Sequence, residues 1–246
     1  MVWRAWGEGS PVVLLHGGSG SWTHWVRNID TLATCHRVIA ADMPGFGDSD
    51  MPPEPPTVDT LAAVIASGLD TIVRPPARYD LLGFSFGGIV GGLVAARQRD
   101  RVRRVVLIGT GGMAFPRSVL PDLVRVDAGD AEAHRENLRR LMFGDPARAD
   151  DLAVAIHRDN VRRTRFKTGN VPESDVLLHA LPSITARVAG IWGTRDAFAV
   201  PYLDARRETL ARFQPDLDFR LVEGAGHWVI YEAPGVVNAA LMDILG

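Results

Sequence analysis

The sequence predicts an α/β fold whose centre is a doubly wound, mostly parallel sheet flanked by helices. Three observations lead there. Short, near-continuous apolar runs recur along the first half of the chain, helix-like segments separate them, and similar runs return near the C-terminus. A run without polar alternation suits a strand covered on both faces. Helices between such strands supply the crossovers that parallel pairing requires. At 246 residues the chain suits one large domain, or a core carrying an insertion.

The elements follow in order. "VVLLHG" at 12–17 reads as the first core strand, 22–33 as a helix, and "HRVIAAD" at 36–42 as the next strand. A helix over 60–73, a strand at 79–83 ("YDLLG"), a helix over 86–97 and a strand at 104–109 ("RVVLIG") continue the alternation. After Gly112 the rhythm breaks. Residues 114–182 are helical and polar, most clearly in "AEAHRENLRRLMF" and "DDLAVAIHRDNVRRTRFK". Strand-like runs then return at 187–193 and 217–224, and a last helix starts near Pro234. The expected organisation is a core of residues 1–113 and 183–246, with residues 114–182 inserted as a helical cap. An insertion there would lie over the carboxyl ends of the strands, where open α/β sheets bind ligands.

Composition narrows the partners. The formal net charge is −2, with acids and bases interspersed, which argues against nucleic acid or an anionic membrane as the main partner. Cys35 is the single cysteine, so no internal disulfide and no cysteine-rich metal site is expected. The N-terminus lacks a basic start followed by an apolar run. No apolar stretch approaches the ~18–20 residues of a membrane helix. The expectation is a soluble, cytoplasmic protein acting on a small molecule.

"GFSFG" at 83–87 carries the chemistry. It matches G-x-S-x-G on a strand-to-helix turn, a nucleophile elbow that lifts Ser85 clear of the sheet. A tight turn with an incidental serine is the plainer alternative, but a strand ends at Gly83 and an apolar helix starts at Phe86. A serine hydroxyl needs a base to take its proton and an acid to orient that base. With such an elbow the chain order is serine, acid, histidine. His227, in the glycine-flanked loop "GAGHW", is the histidine that follows every candidate acid. Asp196, in "IWGTRDAF" after a strand end, is the acid, with Asp204 as the fallback. A helix N-cap is the plainer use of Asp196.

A second glycine cluster, "HGGSGS" at 16–21, ends the first core strand. An oxyanion hole takes one backbone N–H from such a loop and one from the residue after the nucleophile. Gly18, with Ser19 next, and Phe86 are those donors. A phosphate-cradling loop is disfavoured because no Lys-Ser/Thr follows.

Together, "LLHGGSGSW", "VIAADMPGFGDS", "LLGFSFGG", "GIWGTRDAF" and "GAGHWVIYEAPGVVNAAL" resemble the successive landmarks of the α/β-hydrolase superfamily. The resemblance implies an eight-stranded, mostly parallel sheet, a Ser85–Asp196–His227 triad, and a cap after the sixth strand. Only residues 1–6 precede the glycine turn, so the usual first strand is expected to be lacking. The implied activity is a cofactor-free, metal-free serine hydrolase of carboxylic esters or similar acyl substrates. "HGG", "DMPGFGDS" and Trp228 are also similar to carbon–carbon bond hydrolases of aromatic-ring degradation, although Phe84 stands where those enzymes carry asparagine. A ligand receptor with slow or no turnover is the alternative from another class. Trp22, Trp25, Phe84 and Trp228 are candidate pocket walls. Arg158, Arg162 and Arg165 share a helix face by spacing and are candidates to bind a substrate carboxylate, against the plainer reading of a solvated charged face.

Overall fold

Seven strands form one sheet in the order β1-β3-β2-β4-β5-β6-β7 in the computed structural model, which describes residues 1–116, 119–126 and 130–246. The strands are β1 (Val2–Trp6), β2 (Ser10–Leu15), β3 (His36–Asp42), β4 (Tyr79–Phe84), β5 (Val102–Ile108), β6 (Arg187–Gly193) and β7 (Asp218–Val222). All neighbours pair in parallel except β1, which runs antiparallel to β3 with Val2 opposite Asp42 and Trp6 opposite Val38. The count is therefore seven rather than eight, and the N-terminal residues do form a strand. As a half-exposed edge, "VWRAW" carries no continuous apolar run, so it lacks the signal that marks the buried strands.

The interior strands sort their side chains alternately onto two apolar clusters. Val13, Leu15, Leu81, Val105 and Leu107 face one side; Val12, Leu14, Leu82, Val106 and Ile108 face the other. Nine α-helices are described: α1 (Ile29–Leu32), α2 (Val58–Ile72), α3 (Phe86–Gln98), α4 (Ala131–Leu141), α5 (Asp151–Arg162), α6 (Val176–Ala180), α7 (Leu203–Ala211), α8 (Val229–Glu232) and α9 (Pro234–Leu245). Helices α2 and α3 cover the first face through Ile65, Leu69, Val90 and Val94, while α1 and α9 cover the second through Leu32, Val237 and Leu241. None of the described helices is long and apolar enough to cross a membrane.

Local sequence explains the helix starts. Thr57 and Thr60 cap α2 reciprocally, the Thr57 Oγ1 accepting from the Thr60 N–H at 3.2 Å. Asp130 and Asp150 accept from the third amide of α4 and α5 at 2.9 and 2.8 Å. The helix expected over 22–33 divides into a 3-10 turn at Trp22–Trp25 and the short α1.

Residues 114–182, of which 117–118 and 127–129 lie outside the described residues, run between β5 and β6 and contribute α4, α5 and α6. Helices α4 and α5 pack on each other. The following stretch docks on the loop after β3, where the Arg165 and Phe166 N–H groups donate to the Gly45 carbonyl at 2.9 and 3.0 Å. Leu177 and Leu181 already belong to the core cluster under α3. From β2 the chain passes to β3 on one side and to β4 on the other, so the sheet order reverses at β2. Ligands favour the crevice beyond the carboxyl ends of strands at such a switch point.

Candidate active site

Ser85 follows β4 directly and heads α3. Its φ of 53° and ψ of −118° are rare for a residue with a side chain, a strain of about 1–3 kcal/mol. Surrounding bonds hold it there: the Ser85 N–H donates to the Ile108 carbonyl at 2.7 Å, extending the β4–β5 ladder. The flanking glycines are required by close approach. A Cβ on Gly83 would stand 2.4 Å from the Gly87 carbonyl oxygen, and one on Gly87 would stand 2.4 Å from the carbonyl oxygens of both Leu15 and His16.

Two loops at the same edge of the sheet complete the arrangement. The loop after β6 presents Asp196, fully buried, and the loop after β7 presents His227, 5% exposed. The Asp196 Oδ1 accepts from the Phe198 N–H at 2.9 Å, which fixes the carboxylate. Its Oδ2 lies 2.9 Å from the His227 Nδ1, and the His227 Nε2 lies 2.9 Å from the Ser85 Oγ. A carboxylate only accepts, so the imidazole donates from Nδ1 and its Nε2 is free to accept the serine proton. Asp204, the fallback acid, sits at the start of α7 and the structure assigns it no contact with His227.

The glycine loop after β2 is clamped by two histidines. The His16 Nδ1–H donates to the Gly17 carbonyl at 2.8 Å, and its Nε2 accepts from the Met43 N–H at 3.0 Å. The Gly17 N–H donates to the His24 Nδ1 at 3.2 Å. Both rings are therefore held neutral. Burial pushes the His16 pKa down to about 4. Burial, then the neighbouring His16, His157 and His227, lower that of His24 well below its ordinary value. With both polar groups of Gly17 engaged, the next residue, Gly18, lines the cavity opposite Phe86. Phe86 is the first residue of α3, where an N–H has no acceptor within the helix.

A cavity of about 300 Å³ lies over Ser85 and His227. Its walls come from the core and from residues 114–182, including Phe84, Phe86, Ile89, Phe198, Met142 and Pro172. Of the pocket walls expected from sequence, only Phe84 lines it. Trp25 and Trp228 are core residues, Trp228 stacking on Tyr231 at 4.4 Å and donating from Nε1 to the His24 carbonyl at 3.1 Å. Trp22 packs against Trp6 at the β1 side. Arg158, Arg162 and Arg165 are exposed and none lines the cavity. Arg162 donates to Asp159 at 2.7 Å, and Arg165 donates to the Ser49 carbonyl. The expected shared helix face fails because α5 ends at Arg162 and leaves Arg165 beyond it, and Arg158 and Arg162 lie on the solvent side of the helix.

The model of the alpha/beta hydrolase family matches residues 12–240. The chain belongs to this family. The match starts at β2, leaving the antiparallel β1 outside it. Over 250 residues the chain is 30% identical to the dihydrolipoyllysine-residue acetyltransferase component of acetoin cleaving system from Pseudomonas putida, covering 96% of this chain and 64% of that protein. The chain thus spans less than two thirds of that relative's length. It is also 30% identical, over 254 residues, to a 2-hydroxy-6-oxononadienedioate/2-hydroxy-6-oxononatrienedioate hydrolase of Cupriavidus pinatubonensis, covering 96% of this chain and 86% of that one. A meta-cleavage product hydrolase from Pseudomonas fluorescens IP01 shares the fold at a TM-score of 0.82 and 22% identity, over 99% of this chain and 93% of that chain.

Two residues at or near the chamber escaped the sequence reading. Arg206 on α7 lines the cavity and is 5% exposed. Glu232 on α8 accepts from the Gly226 N–H at 2.6 Å and the Gly144 N–H at 3.1 Å through Oε2, and from the Asp145 N–H at 2.7 Å through Oε1. Arg206, in "ARRE", lies in no motif, and Glu232 falls inside the landmark "GAGHWVIYEAPGVVNAAL" without drawing a role of its own.

Proposed function

We propose that the protein is a serine hydrolase cleaving a carboxylic ester or similar acyl substrate through a covalent acyl-enzyme. The observation that carries this reading is the unbroken hydrogen-bonded series Asp196–His227–Ser85, 2.9 Å at each link, opening into a cavity. Ser85 Oγ attacks the substrate carbonyl while its proton passes to the His227 Nε2. Asp196 holds the imidazole in the required tautomer and balances its charge. The Phe86 and Gly18 N–H groups face the oxygen that becomes negative. His227 then delivers the proton to the leaving group, and water releases the acyl group by the same steps. Residues 114–182 act as a cap that shapes the chamber and limits water access.

A second reading uses the same residues on a carbon–carbon bond flanked by a carbonyl. It is favoured by the relative from Cupriavidus pinatubonensis, whose name describes hydrolysis of a 2-hydroxy-6-oxo dienedioate and whose match covers 96% of this chain.

Fluorophosphonate labelling and p-nitrophenyl ester turnover test the main reading. Wild type should label once and turn over, Ser85→Ala should lose both, and Asp196→Asn should lose about 10³–10⁴-fold in turnover. Labelling that persists at another serine overturns the assignment of Ser85. Loss of the 2-hydroxy-6-oxo dienoate chromophore without ester turnover selects the carbon–carbon reading. Binding without turnover of either substrate makes the protein a receptor.

A further inference from the structure

Arg206 is the one arginine that is buried among the described residues. Burying a guanidinium is costly unless an anion or a full set of acceptors meets it. Most half-buried arginines elsewhere have a carboxylate partner, as Arg4 with Asp42, Arg27 with Asp150, Arg103 with Asp80 and Arg220 with Asp218. Among the described residues Arg206 has no carboxylate within ion-pair distance. Of its five N–H donors, Nη1 reaches the Thr110 carbonyl only at 3.5 Å and Nη2 the Phe198 carbonyl at 3.3 Å. Its Nε has no hydrogen-bond partner.

These contacts hold the guanidinium in place without exhausting it. Thr110 follows β5 and Phe198 follows β6, so the head group is fixed between two strand ends, on the wall of the chamber that holds Ser85. The Phe115 ring lies 4.8 Å from its Cζ, and both Phe115 and Phe198 line the chamber beside it. Apolar neighbours of this kind strengthen a charge-assisted bond. Asp196 is near enough to act on Arg206 electrostatically, opposing the fall in pKa that burial imposes on the guanidinium. Both Asp196 oxygens are nevertheless taken, by the Phe198 N–H and by His227.

We propose that Arg206 forms an anion-binding subsite of the chamber and selects a substrate carrying a carboxylate, held by the guanidinium while the scissile carbonyl faces Ser85. The subsite deepens the hydrolase reading and rests on it for the placement of the scissile bond. Glu173 also lines the chamber.

The test is a binding measurement that needs no turnover. Phenylacetate and phenylacetamide, alike in shape and different in charge, are titrated by calorimetry into wild type, Arg206→Lys and Arg206→Gln. Wild type should bind the acid at least about tenfold more tightly than the amide. Arg206→Lys should keep part of that preference and Arg206→Gln should lose it. Equal binding of acid and amide by wild type overturns the proposal, as does no detectable binding of the acid. A preference that survives in Arg206→Gln overturns it too. So does an equal loss of both ligands in that variant, which would make Arg206 a countercharge to Asp196. Should Arg206→Gln not fold, wild type and Arg206→Lys still decide. Labelling of wild-type Ser85 by a fluorophosphonate reports separately on the hydrolase reading, so either can fail alone.

Discussion

Acidification should destabilise the protein through His16. Its ring is fully buried, and its Nε2 accepts from the Met43 N–H, so a proton there would set donor against donor. The folded pKa of about 4 lies below the ordinary value of 6.5. The stabilisation is therefore fully present above pH 6.5 and is lost as the pH falls towards 4. At pH 5 an unfolded-state imidazole is almost wholly protonated while the folded one is about one-tenth protonated, a penalty of about 2 kcal/mol. With an m-value of about 3 kcal/mol/M, the urea midpoint should drop by roughly 0.7 M from this one group. The assay is urea unfolding of wild type and His16→Gln at pH 7.5 and pH 5. Glutamine keeps a donor and an acceptor but does not titrate. The variant is expected to be less stable at both pH values, yet its loss on acidification should be about 2 kcal/mol smaller than that of wild type. Equal losses in the two proteins would refute the neutral, clamped His16. His157, also lowered by burial, acts in the same direction in both proteins and cancels from the comparison, whereas the part of the His24 lowering that comes from His16 disappears in the variant and adds to the difference.

Glu232→Ala would leave the N–H groups of Gly144, Asp145 and Gly226 without their shared acceptor; a loss of about 3 kcal/mol or more in urea unfolding is expected, with reduced ester turnover because Gly226 precedes His227. Wild-type stability in Glu232→Ala would show these bonds to be dispensable. Gly87→Ala would drive a Cβ to 2.4 Å from two backbone oxygens, so it should destabilise by more than about 3 kcal/mol or fail to express in soluble form. Gly235→Ala, in the first turn of α9 with nothing near its Cβ, should instead be neutral or stabilise by up to about 1 kcal/mol.

What the sequence made legible was mostly local. Buried strands announce themselves as apolar runs, and β2 to β6 fall within a few residues of the runs that mark them. The loops carrying Ser85, Asp196 and His227 were readable because glycine and chain order constrain them before any tertiary contact is known. Edge strand β1 was not readable, because half its side chains face water and its partner lies some 35 residues away in sequence. Nor was the division of 22–33, where Trp25 and Leu32 serve the same cluster from two short helices. The exposed Arg162 and the buried Arg206 look alike as letters. What separates them is where α5 and α7 turn their faces, which only the packed structure decides. Trp228 was assigned to the pocket for lying beside His227, yet its ring turns away into the stack with Tyr231 and Phe143.

The contacts of Glu232 bear on how the chamber is entered. One carboxylate ties the Gly144–Asp145 corner of the inserted segment to the loop that carries His227. Swinging that corner outward would strip acceptors from its own amides and tug on the imidazole's anchor at the same moment. On the opposite side of the chamber the contacts are lighter, where Thr168 lies near Gly18 and the Phe166 N–H donates to the Gly45 carbonyl.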